Sequence, residues 1–332
     1  MRLLAVVTSL FLCSIAFGES KVIQAPDPDS KKYYELALHI PESGTIKYQI
    51  HRVAETKKNG SGQQIVATYV YRSAYRLYDD HYVFLPKLAS SELESINGSP
   101  PPVGFNTQLV LAGLILMDGV EYTADETLAP NAINDMGALK MNYRKMMIAV
   151  EKASGRNVID AKIDSTINAV FSMWDESSAT EVFMVEQTLL GLIHGAGLEL
   201  GRPSIVLIDE PDVTNGVTIK MRLSLALETW DAKKNLAIAN ATNEIDPEYI
   251  KTYVSQMVLR MTASQGGTYP TKDQLQAMVA SAQFSNSTKC RYEIAISTGL
   301  INKADCSVIK GGTIEGKGQV KTDQYTIQES LE

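Results

Sequence analysis

The chain has 332 residues, 45% of them hydrophobic, with 31 basic against 38 acidic side chains and a formal charge of −7. That size and apolar content suffice to bury an ordinary core without help from metals or dense cross-linking. The acidic balance, with Lys and Arg scattered along the chain, argues against nucleic acid as a partner, because such binding needs a basic footprint.

The chain opens "MRLLAVVTSLFLCSIAFGES", in which Arg2, an apolar run from Leu3 to Phe17 and small residues at Ala16 and Gly18 follow one another. This is the layout of a secretory signal peptide over residues 1–18, with cleavage expected between Gly18 and Glu19. The run is shorter than the roughly 20 apolar residues of a spanning helix, and no later stretch is longer. A lipid anchor at Cys13 would want a small residue before it, and Leu12 stands there. The mature chain is therefore expected to be soluble, without a membrane span, in a periplasm or outside the cell.

Residues 44 to 88 alternate apolar and polar side chains in the period of antiparallel strands, with turns at Asn59-Gly60-Ser61-Gly62 and Asp79-Asp80. The polar, proline-rich "NGSPPPVG" interrupts this meander, and Asp118-Gly119 predicts a further hairpin turn. From about Asp135 to Gly197 the period changes. Leu139, Tyr143, Met146, Met147 and Val150 form one helical stripe, "DSTINAVFSMWD" reads as a second helix, and "SSATEVFMVEQTLLGLIHGAG" as a third opened by a capping box at Ser178 and Glu181. Strands return in "VTIKMRLSLALETWDAKKNLAIANATNEI", where Val217 to Leu227 alternate strictly. Asp246-Pro247-Glu248 predicts a helix start, a short helix is expected near Gln274 to Phe284, and "QVKTDQYTIQ" reads as a last strand.

Runs of strands and runs of helices, without regular alternation, predict an α+β fold: an antiparallel, curved sheet with helices packed on one face. Residues 19–332 are expected to form a single composite unit, with a subdivision near 201 to 216 as the alternative. In long one-sided strands followed by helices that close over the apolar side, the chain resembles periplasmic lipoprotein carriers and related lipid-binding exported proteins, as well as exported bacterial proteins of unknown function. The resemblance implies a half-open barrel with a helical lid that carries acyl chains. It rests on the order of elements and transfers no binding residue.

Chemistry-bearing motifs are few. Removal of the signal leaves Cys290 and Cys306, which are expected to pair in an oxidising compartment across a strand, a Thr-Gly turn and a return strand. "LLGLIHGAGLELG" could suggest an oxyanion loop, but no Gly-x-Ser-x-Gly turn accompanies it; Gly195 and Gly197 follow a helical stretch and read as its stop, with His194 at the negative end of the helix. The four histidines have no metal-ligand spacing, so Asp79, Asp80 and His81 in "YDDHY" are the metal candidates that remain, against the simpler reading of a polar turn. Asp209, Glu210 and Asp212 lack the order of a calcium loop and read as a solvated turn.

Eight of the 15 tyrosines lie between Tyr33 and Tyr82. Tyr69, Tyr71 and Tyr75 share one side of a strand and are candidates for a ligand or partner surface, against cross-strand packing as the plainer reading. No cofactor and no catalytic residue is assigned. The expected function is an exported, non-enzymatic binding or carrier protein for a lipid or other apolar small molecule. The alternatives are an envelope protein-interaction module and a hydrolase whose site is assembled from remote carboxylates.

Overall fold

A computed structural model describes residues 20–59, 61–101, 116–153, 160–172, 174, 176–212, 217–264, 271–314 and 317–332. The signal segment expected over residues 1–18, with the cleavage expected between Gly18 and Glu19, lies outside the described residues, as do the residues before Leu116 in the hairpin expected at Asp118-Gly119.

The first half of the chain forms β1 (Ser20–Gln24), β2 (Tyr33–Glu35), β3 (Ser43–Lys58), β4 (Ser61–Tyr78), β5 (His81–Ile96), β6 (Tyr122–Ala124) and β7 (Pro130–Ile133). Helices follow as α1 (Met136–Ala153), α2 (Asp160–Phe171), α3 (Glu176–Phe183) and α4 (Val185–Gly191). Then come β8 (Gly197–Glu199), β9 (Ser204–Asp212), β10 (Val217–Asp231), β11 (Leu236–Ile245), α5 (Ile250–Ser264), α6 (Lys272–Ser281), β12 (Gln283–Ala295), β13 (Ile301–Ile314) and β14 (Lys317–Leu331).

Twelve strands make one sheet in the order β1-β9-β10-β11-β12-β13-β14-β3-β4-β5-β6-β7, every neighbouring pair antiparallel, while β2 and β8 pair separately. The sheet is an up-and-down meander whose last strand, β14, lies against β3, and β1 and β7 are its edges. The architecture is thus α+β, with an open antiparallel sheet and a helical block on its apolar face.

Short turns hold the long hairpins. Asn59, Asp79, Asn97 and Asn235 all take positive φ, a conformation that Asn and Asp tolerate better than other side chains, and each sits where a strand ends. Among the described residues β1 pairs with residues 205–208 of β9, and Pro211 lies beyond that paired stretch, opposite Thr218 of β10. The acids Asp209, Glu210 and Asp212, expected as a solvated turn, therefore belong to a strand end; Asn215 and Gly216 lie outside the described residues.

The predicted α1 stripe is correct: Leu139, Tyr143, Met146, Met147 and Val150 are all buried. Asn142 beside them donates to the carbonyls of Leu116 and Asp118, which ties α1 to the turn carrying Gly119. The expected third helix is two, broken at Met184, whose ψ of 43° is not helical, and its first half begins at Glu176 ahead of Ser178. Two other boundaries move. Pro247 sits in a turn before α5, and α6 stops at Ser281, so Phe284 belongs to β12.

The sheet curls around the helices. Tyr292, Ala304, Ile327, Ile50 and Tyr69 form one continuous row across β12, β13, β14, β3 and β4. Its ends are four strand steps apart, roughly 19 Å on a flat sheet. Yet Tyr292 donates to the carbonyl of Leu189 and Tyr69 to the carboxylate of Glu186, both on α4 and only about 4.5 Å apart along its axis. The two tyrosines close on one helical turn, while Ala304 between them leaves space for it.

Candidate functional site

The inner face of the sheet is where side chains from distant segments meet. Alternation sends Ile46, Tyr48, Ile50 and Arg52 of β3 inward and Lys47, Gln49, His51 and Val53 outward. The same rule holds in β14, with Asp323, Tyr325, Ile327 and Glu329 inward and Gln324 and Gln328 exposed outside. A strand that crosses a membrane in a barrel has the opposite pattern, apolar outside. Among the described residues no helix is long and apolar enough to cross a membrane either.

Two polar groupings interrupt the apolar lining. The first joins His194, in the turn after α4, to Glu329 of β14: Nε2 and Oε2 are 3.1 Å apart, and each side chain is only 1% exposed. Glu329 Oε2 also accepts the Ile301 backbone N–H at 2.9 Å, whereas Glu329 Oε1 and His194 Nδ1 are buried with no hydrogen-bond partner among the described residues. Sequence reasoning placed His194 at the helix dipole. Its actual partner lies 135 residues away, and no local signal could have named it. The helix stops earlier than expected, at Gly191; Gly195 at φ 68° lies in the turn that follows, where a side chain would strike Thr127, and Gly197 opens β8. The contact is closed to solvent on both sides.

The second grouping sits further along the same strands. Arg52 donates from Nε and Nη2 to Asp323 Oδ1 at 3.1 and 2.8 Å, and Lys321 Nζ lies 2.9 Å from Asp323 Oδ2. Burial alone would push the Asp323 carboxyl up; the two cations outweigh it and hold it below the usual carboxylate range. Arg52 also lies over the Tyr325 ring, 5.4 Å from its centroid. Next to it, Tyr69 donates to Glu186, and burial followed by the Glu186 charge pushes the Tyr69 phenol well up, so it stays a neutral donor.

The other sequence candidates fall as follows. Tyr69, Tyr71 and Tyr75 do share a face, but they are 1%, 6% and 4% exposed and pack against one another or against Tyr82 and Phe84. They are core residues of the inner face. Asp79, Asp80 and His81 make the tight β4–β5 turn, where His81 Nδ1 lies 3.2 Å from a fully solvated Asp80. Among the described residues no group of three or more His, Cys, Asp or Glu side chains is placed to hold a metal ion.

Cys290 and Cys306 are bonded to each other, directly opposite across β12 and β13. The bond lies in the middle of the sheet, facing the core.

No protein-family model and no curated protein matches this chain. Among solved structures, an outer membrane channel from Pseudomonas putida F1 aligns over 92% of this chain and 100% of its own at 8% identity, with a TM-score of 0.24. At that score the likeness carries no argument about fold or function.

Proposed function

We propose that this chain is an exported, non-enzymatic binding or carrier protein for an apolar ligand held between the inner sheet face and the helices that cover it. The observation that carries this reading is the filling of the curled sheet. A face built from Ile46, Ile50, Phe84, Ile301 and Ile327 is covered by separate short helices, and the same apolar cluster runs through both. Short helices joined by turns can be displaced individually, whereas a second sheet would have to move as a unit. Two properties accord with export: the disulfide, which persists in oxidising compartments, and the signal-like N-terminus.

Native mass spectrometry of protein purified without detergent tests the proposal. The expected result is a population carrying extra mass that organic extraction removes. Ligand-free protein that also fails to bind a fluorescent fatty acid would sink it.

A further inference from the structure

We propose that the far half of the inner face, around Arg52, Lys310 and Lys321, binds the anionic head group of an amphiphile. This deepens the carrier reading and rests on it.

Beyond the row holding Cys306, Tyr325 and Arg52, the inward positions continue as Val308 and Asp323, then Lys310 and Lys321, then Gly312, Gln319 and Lys58. Lys310 and Lys321 are directly opposite on neighbouring strands. Like charges in that relation are destabilising unless something anionic lies between them.

Asp323 pairs with Lys321 and not with Lys310. Its Oδ1 is taken by Arg52 and its Oδ2 by Lys321, and Lys310 enters no ion pair among the described residues. Glu186, the other acid near Arg52, already accepts from Tyr69. The inward positions at this end of β4, β10, β11 and β12 carry no acid among the described residues, and Glu210 of β9, in register with Ile219, is separated from β13 by β10, β11 and β12. A protein of net charge −7 thus concentrates Arg52, Lys58, Lys310 and Lys321 on one inner surface.

The surface is graded from outside inward. Lys58 is exposed, Lys310 half-buried, and the Lys321 and Arg52 side chains are 18% and 16% exposed above buried Asp323. On one flank lie Met221 and Phe284, packed with α5 and α6, and on the other the apolar group of Ala67 and Leu93. Unsatisfied positive charge between apolar flanks complements a molecule with one anionic head and a hydrocarbon chain. It does not suit a free inorganic anion, which has no use for the flanks, or a neutral lipid, which has none for the lysines.

The test is a calorimetric titration of the full mature chain with dodecyl phosphate, dodecyl maltoside and inorganic phosphate, each below its aggregation concentration. Dodecyl phosphate is expected to bind about tenfold more tightly than the maltoside. The preference should shrink as salt is raised. Lys310→Gln, which breaks no ion pair among the described residues, should remove most of that preference and leave maltoside binding unchanged; Lys321→Gln should act in the same direction. Equal binding of the two detergents, or a full preference retained in Lys310→Gln, overturns the head-group assignment while the carrier reading survives. Inorganic phosphate binding as tightly as dodecyl phosphate also overturns it, as a site for free anions only. If neither detergent binds, the carrier reading falls too.

Discussion

At the scale of single residues, the buried charges and polar groups were invisible in the sequence and are decisive in the fold. Asp323 faces two cations, and its carboxyl is held below the usual range, so it contributes stability above the ordinary carboxylate pKa of about 3.9 and loses that contribution as pH falls through its depressed value. Asp323→Asn is expected to cost about 3 kcal/mol at neutral pH by leaving Arg52 and Lys321 without their counter-charge. The gap between variant and parent should narrow in acid, which urea melts across a pH series would reveal. A gap independent of pH would mean that packing, not charge, explains the loss.

His194 and Glu329 make the parallel case for a clasp between the helical block and the last strand. His194→Leu removes one partner of a buried pair and is expected to cost on the order of 3 kcal/mol. Adding Glu329→Gln, whose amide oxygen still accepts the Ile301 N–H, should recover part of it. Denaturation midpoints of the two single variants and the double variant give the coupling directly. Strict additivity would show that the pair does not act as a unit.

At the scale of elements, periodicity was reliable where one face is buried and a turn residue marks the end. The β3–β4–β5 meander, the α1 stripe and the Cys290 to Cys306 hairpin were legible for that reason. The break at Met184 was not. The residues on both sides favour helix, and the division follows from α3 lying against β7 while α4 must reach β13 and the two gripping tyrosines. The disulfide closes a loop of sequence separation 16. A Cys290→Ala, Cys306→Ala variant should still fold, because the bonded positions lie in the core of a large sheet, but with stability lower by about 3 kcal/mol in chemical denaturation. Failure to fold at all would mean that the bond organises the sheet and does not merely reinforce it.

At the scale of the whole molecule, the arrangement depends on contacts between the two ends of the chain. β14 lies between β13 and β3, and its register with β3 places Glu329 beside Tyr48 and Asp323 beside Ala54. The Arg52–Asp323 grouping is a product of this junction, while Glu329 of the same strand meets His194 from the turn after α4 and Ile301 of β13. Neither grouping could be read locally, because strand periodicity reports which side of a strand is buried and says nothing of which strand is its neighbour. The same ignorance led the tyrosines of β4 to be weighed as a surface. Their alternation was correctly seen, but whether the shared face meets solvent or a helix depends on the curl of a sheet assembled from both halves.

The sequence by itself determined the α+β class, the positions of the long strands and turns, the buried stripe of α1 and the pairing of the two cysteines, since each follows from local periodicity, turn chemistry or simple counting. Only the tertiary structure decided the strand order, the position of the helices inside the curl, the partner of His194 and the gathering of Arg52, Lys310, Lys321 and Asp323 on one face. Those depend on register between segments far apart in the chain, where the free energy comes from contacts that no single stretch contains.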